Sequence, residues 1–446
     1  MAATIVETLG AFVAERSGSD IPERVRHGGR RALLNGFGLA LNAAADPAIE
    51  TAVAALSAFG PSAQAGLIGR PERLDPPAAA FVNAIGMNLL DFDDTHLPTI
   101  IHPTAPVAPA VLALAEARGL SGAEVLDAFV LGAEICCRVG DAVSPGHYAR
   151  GWHITSTCGV FGAAAASARL LGLDAERTAQ ALGVASSLSS GTIENLTTAG
   201  KNASVGNAAR SGILAALLAQ SGYVASPTAI EGKLGWARAS GDEPDVARAL
   251  AGLGEDWAFE LNALKPYPAG IVFHSTIDAA LALRETHGIR AEEIDHAIVR
   301  GDALLLARGS RPVATHRDAR VSLHHAVATV FLYGGAGIAD FEMPRVMAPE
   351  AVALRARVRG ELDASLPPGA SSVEIVLSDG RRLVETVVHP RGSIERPMSD
   401  RDVEDKLRTI AEGRVSAETL DRIVDLVWHL DEQPEIATLM RLAAGG

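Results

Sequence analysis

The chain has 446 residues, 48% of them hydrophobic and 21% charged, and a formal net charge of −14. This length fits two or three domains of about 150 residues each, and the apolar content excludes a disordered chain. The acidic balance excludes a nucleic-acid surface, which needs a basic stripe; a helix N-terminus can still hold a small anion whatever the global sign.

From the start to residue 262 the pattern is helical, with Ala and Leu recurring at spacings of three and four. Ser121-Gly-Ala-Glu124 is a capping box opening a helix through LDAFVLGAEICCRVGDAV. Thr155, Ser156 and Thr157 offer cap oxygens to GVFGAAAASARLL, and the stretch from Val205 reads as a further helix with a small-residue face. Thr104 and Ser204 are further cap candidates. After KPYP (265–268) the texture changes: DHAIVR (295–300) is strand-like, and Asp379-Gly380 between β-branched runs signals a hairpin. Helices fit around 274–284 and LHHAVATVFLYGG, and Ser399 caps a last helical region. The expected fold is mainly α: a large all-helical domain built from residues 1–262 and 393–446, with a smaller α+β lid domain inserted at 263–392; the alternative is that the last segment forms a third small domain.

Cys136, Cys137 and Cys158 are too few for a disulfide framework, so a reducing cytoplasm is the expected location. Glu7 stands where an export signal would be basic, and no run approaches the roughly 18 apolar residues of a membrane span, so no membrane partner is expected.

Polar groups concentrate in four stretches: DFDDTHLPTIIHPT (91–104), GHYARGWHITST (146–157), TTAGKNASVGNAAR (197–210) and ALKPYPAGIVFHS (263–275). In the first three, His102, His153 and Lys201 each precede an expected helix. A helix N-terminus carries roughly half a positive charge and unpaired N–H groups, so three such ends would suit a carboxylate-rich ligand if the fold brings them together. The chain has only four lysines, Lys201, Lys233, Lys265 and Lys406, among 39 basic side chains, so each retained ammonium draws notice. The first stretch lacks metal-site spacings, and no metal is expected. Phosphate-loop and GxSxG patterns are absent, which argues against nucleotide and acyl-serine chemistry.

Taken together, DFDDTH…HP, GHY..GWH.TST, GK…GNAA, KPYP and the late GSIERPMSD occur in an order that resembles the MmgE/PrpD family along essentially the whole chain. The resemblance implies a homodimeric lyase, with no metal or organic cofactor, acting on a small di- or tricarboxylate by dehydration or decarboxylation through a carbanion beside a carboxylate. An epimerase and a carboxylate-binding relative without turnover are the alternatives. Carried over motif by motif, the implied catalytic residues are Asp91, Thr95, His102, His153, Lys201 and Lys265. His102 and His153 form the acid/base pair, the two lysines the cationic clamp, and Asp91 a support for an imidazole. Ser204, Tyr267, His274 and His96 are candidate substrate contacts. Ser204 departs from the family habit of a His three residues after the first motif lysine, which bears on substrate choice.

Overall fold

The computed structural model describes residues 3–58 and 63–445. The chain divides into two compact units. The first comprises Met1–Leu89, Asp93–Asn262 and Ser399–Gly446, and the second Leu90–Phe92 and Ala263–Met398. The chain re-enters the first unit at Ser399, a few residues beyond the expected position 393, and the tripeptide 90–92 belongs with the second unit.

The first unit holds α1 (Ile5–Glu15), α2 (Glu23–Ala43), α3 (Pro47–Ser57), α4 (Pro76–Asn88), α5 (Thr104–Arg118), α6 (Gly122–Val143), α7 (Ile154–Leu170), α8 (Ala175–Leu188) and α9 (Ala199–Gln220). It is not purely helical, because Ala65–Leu67 (β1) and Arg70–Leu74 (β2) form an antiparallel hairpin before α4. Every residue of α7 from Ile154 to Ala168 is buried, as is every residue of α5 from Thr104 to Glu116. Helices apolar all round belong in a core, and their Ala, Gly and Ser content lets neighbours approach closely. At the crossing of α6 and α7 a Cβ on Gly132 would lie 2.6 Å from the carbonyl oxygen of Gly162, so a larger residue there would push the helices apart.

The returning segment supplies α10 (Asp400–Ile410) and α11 (Ala417–Trp428). Ser399 caps α10 through a capping box with Asp402, and the buried Val403, Leu407 and Ile410 pack towards α2, where Gly38 leaves room for Ile410.

The second unit contains α12 (His274–His287), α13 (Leu323–Tyr333) and a four-stranded sheet. Its strands are β3 (Ile294–Gly301), β4 (Val358–Leu362), β5 (Ser371–Leu377) and β6 (Arg382–Val387), in the order β4-β3-β5-β6. The expected hairpin across Asp379-Gly380 joins β5 to β6, with Ser371 opposite Val387. β5 is buried at all seven positions while β6 alternates, as a covered inner strand and an edge strand should. Phe273, Ile277 and Leu283 meet Leu323, Val327 and Phe331 and the strand residues Val299, Val373 and Ile375 in one core; each such side chain contributes about 1.5–3 kcal/mol on burial.

Several helix boundaries differ from the sequence expectation. Helix α7 begins at Ile154 with His153 at the cap position, so Thr155, Ser156 and Thr157 are inside its first turn. Helix α9 begins at Ala199 with Thr198 as its cap, which puts Lys201 in the first turn and Ser204 in the second. Pro103 precedes α5, and Thr104 does not cap it. In each case a hydroxyl expected to bind its own helix's amides has a longer-range partner instead.

Candidate active site

The starts of α5, α7 and α9 are tied together within the first unit by a ring of hydrogen bonds that one carboxylate–imidazole contact closes. The His102 backbone N–H donates to Thr155 Oγ1 (3.1 Å), linking the approach to α5 with the first turn of α7. His153, at the α7 cap, has Nδ1 2.9 Å from Ser156 Oγ and 3.4 Å from Ser204 Oγ on α9. Ser204 Oγ also lies 3.0 Å from Ser156 Oγ and donates to the Lys201 carbonyl at 2.7 Å. Asn202, beside Lys201, donates to both the backbone and side-chain oxygens of Asn88 at the end of α4 (3.0 Å each). Asn88 in turn donates to Asp93 Oδ2 at 2.5 Å, and Asp93 Oδ1 is 3.5 Å from His102 Nδ1.

The geometry around His102 is set by its own stretch. Its Nδ1 is 2.6 Å from the Asp94 carbonyl and 3.2 Å from Thr95 Oγ1. The ring therefore donates from Nδ1 to a main-chain oxygen, which leaves Nε2 as the nitrogen suited to proton exchange. His153 differs in that the contacts to its Nδ1 come from hydroxyls. A strand-like contact also holds its backbone: the His153 N–H donates to Gly191 O at 3.1 Å, and the Ile193 N–H donates to Gly151 O at 2.9 Å. Gly191 has φ +120°, and a Cβ there would stand 2.3 Å from Ser156 Oγ, so only glycine lets this loop close over Ser156 and Ser204.

His96 has a different role from its neighbour. It is fully buried, Nδ1 is 2.7 Å from Thr99 Oγ1, and desolvation pushes its pKa down to about 4. Its backbone anchors a turn in which the His96 N–H donates to Ile101 O and the Ile100 N–H donates to His96 O. That turn holds Ile100 at φ +58°, a conformation costly for a β-branched residue. His96 braces the strained turn that delivers His102. His147, in GHYARGWH, is likewise structural: it bridges Thr157 Oγ1 (2.7 Å) and Ser240 O (3.1 Å), with a pKa near 4 through burial.

Asp94 is buried with Oδ2 accepting from Thr104 Oγ1 and from Asn262 Nδ2 (2.7 Å). Thr104, expected as a cap, instead fixes this carboxyl. Burial first, then the neighbouring Asp93 charge, raise the Asp94 pKa to about 6. Among the described residues no group of three or more His, Cys, Asp or Glu side chains is placed to hold a metal ion.

The remaining expected residues lie in the second unit. Lys265 is buried and its ammonium donates to the Asp91 carbonyl at 3.1 Å; Asp91 adopts φ +52°. Tyr267 donates to Asp278 Oδ1 at 2.6 Å, and burial raises its pKa so that the phenol stays neutral. His274 Nε2 is 3.2 Å from Ala269 O and its ring meets Tyr267 edge-on at 5.4 Å, so both serve the turn after KPYP. His324 and His325 also have local partners: Nδ1 of His324 is 2.8 Å from Val358 O, and Nε2 of His325 is 2.9 Å from Asp340 O.

Residues 7–249 match the MmgE/PrpD N-terminal domain, and residues 267–431 match the MmgE/PrpD C-terminal domain. The chain belongs to the MmgE/PrpD family. As a member it is an enzyme of the lyase type. Among its relatives, cis-aconitate decarboxylase of Homo sapiens is 26% identical over 463 aligned residues, covering 100% of this chain and 95% of that protein. The Mus musculus enzyme of the same name is 28% identical over 84% of this chain and 80% of its own length. The cis-aconitate decarboxylase of Aspergillus terreus (strain NIH 2624 / FGSC A1156) is 27% identical over 95% of this chain and 92% of that protein. Among the described residues of this MmgE/PrpD protein, no single helix is long and apolar enough to cross a membrane.

Sequence reasoning left Asp93 without a role and missed Asn88 and Asn202; the three complete the ring. Two asparagines in the otherwise apolar α4 sequence PPAAAFVNAIGMN were the available signal, since a buried amide needs partners.

Proposed function

We propose that this protein is a lyase that decarboxylates a small unsaturated tricarboxylate of the cis-aconitate kind, with His102 and His153 as the acid/base pair. The observation that carries the reading is the hydrogen-bonded ring joining the starts of three helices, each bearing one of His102, His153 and Lys201. The names of the relatives support the choice of reaction. Helix N-termini supply N–H donors and positive field to carboxylates, and the buried Lys201 adds a full charge. In the reaction the bond between one carboxylate carbon and its neighbour breaks and carbon dioxide leaves. The electron pair stays on carbon, delocalised through the double bond towards a remaining carboxylate, and an imidazolium delivers the proton that quenches it. Preorganised cations and donors stabilise such developing charge by about 3–4 kcal/mol each. A positioned imidazole contributes roughly 10²–10⁴-fold.

Lys265, Asp91 and Thr95 stay in the proposal as catalytic residues on the family resemblance. Ser204, expected as a substrate contact, enters the proposal as the group that fixes His153. A homodimer, a cytoplasmic location and independence of any cofactor belong to the same reading; sedimentation velocity of the purified protein checks the first. Carbon dioxide release from cis-aconitate, citrate, methylcitrate and aspartate-derived dicarboxylates, followed with proton exchange in D₂O, tests the chemistry. Exchange of an α-proton without carbon dioxide release would point to an epimerase, and water loss from citrate or methylcitrate to a dehydratase.

A further inference from the structure

We propose that Asp93 is a positioning residue for His102, held in place by Asn88 and Asn202. The inference rests on the reading of His102 as an acid/base group in the proposed lyase. Asp93 is 2% exposed, and its carboxylate has Oδ2 bound to the Asn88 amide and Oδ1 3.5 Å from His102 Nδ1. A carboxylate taken this far out of water costs several kcal/mol unless it is met by donors or positive charge. Asn88 is one such donor, to Oδ2, and Oδ1 faces the imidazole.

At 3.5 Å the contact to His102 is too long for a good hydrogen bond, so Asp93 acts through its charge. That charge beside Nδ1 favours a proton on the same nitrogen that donates to the Asp94 carbonyl at 2.6 Å. The charge thereby reinforces the tautomer that the carbonyl selects, and Nε2 is the nitrogen that exchanges protons with substrate. Asn88 takes its own orientation from Asn202, next to Lys201. The chain Asn202–Asn88–Asp93–His102 therefore keeps the cation-bearing helix and the imidazole in register. Neutral amides in the middle of the chain carry this alignment without adding charge. Asp94, one residue on, has its carboxyl bound to Thr104 and Asn262 and serves His102 through its main-chain oxygen.

The test compares wild type with Asp93→Asn. Turnover should fall about 10–100-fold with KM changed less than about threefold, the usual size of an outer positioning effect, and the melting temperature should stay close to wild type. NMR of ¹⁵N-labelled histidine should show the His102 ring protonated at Nδ1 in wild type, with a smaller share of that form in the variant, where the Asp94 carbonyl alone favours it. Asn88→Ala, which keeps the carboxylate and removes its anchor, should lose less turnover in the same direction and remains informative if Asp93→Asn does not fold. Unchanged turnover, or a His102 spectrum identical in both proteins, would overturn the inference. The NMR comparison needs no substrate, so a wild type without turnover on any carboxylate would sink the functional reading while the spectra still decide this one.

Discussion

His96 and His102 stand six residues apart on one polar stretch and have opposite fates. His96 is sealed in the core, bonded to Thr99, and burial lowers its pKa to about 4. Protonating it in the folded state costs about 3 kcal/mol relative to free imidazole, at 1.36 kcal/mol per unit. It is a brace. His102 keeps 13% of its side chain exposed and has the Asp93 carboxylate beside Nδ1. The proposed proton carrier thus differs from its buried neighbour in the carboxylate beside it and the opening around it.

The largest expected effect separates the two directly. His102→Ala should lower turnover about 10²–10⁴-fold while leaving the melting temperature nearly unchanged, measured by carbon dioxide release and calorimetry; a comparable loss from both histidine variants would erase the distinction. His96→Gln should act on stability. Because the folded pKa of His96 lies below the unfolded value near 6.5, its neutral ring adds stability that is complete above pH 6.5 and is lost as pH falls towards 4. The variant should therefore gain up to about 3 kcal/mol relative to wild type on going from pH 7 to pH 4 in urea titrations.

Asp94 has the opposite sign. Its folded pKa is raised to about 6, so its contribution is present below the unfolded value near 3.8 and is lost as pH rises through 6. Asp94→Asn should be more stable relative to wild type at pH 8 than at pH 4, by at most about 3 kcal/mol. A pH-independent difference would show that the carboxyl is solvated. The smallest effect is expected from Ser204→Ala: Ser156 Oγ still lies 2.9 Å from His153 Nδ1, so turnover should drop less than about tenfold.

Much of this was legible in the sequence because it rests on local physics. The capping box at Ser121, the cap at Ser399, the hairpin at Asp379-Gly380, and the presence of helices after His102 and His153 follow from short-range preferences. The roles of Thr104, Thr155 and Ser204 were not legible. Each was read as a cap, and each forms a contact set by tertiary packing: Thr104 with Asp94, Thr155 with His102, and Ser204 with His153. Spacing along a chain cannot reveal such pairs. For the same reason Asp93 could not be ranked above its neighbours, since three aspartates in four positions look alike until burial and partners separate them.

In the proposed reaction the ringed histidines move a proton for a lyase acting on a small carboxylate. The most direct measurement is carbon dioxide release from cis-aconitate in D₂O by wild type, His102→Ala and His153→Ala, with NMR of the product. Release by wild type, one deuterium placed on the product carbon, and loss of at least 10²-fold in both variants is the predicted result. Wild-type rates in either variant, or no reaction of the wild type with any of the carboxylates tried, would contradict it.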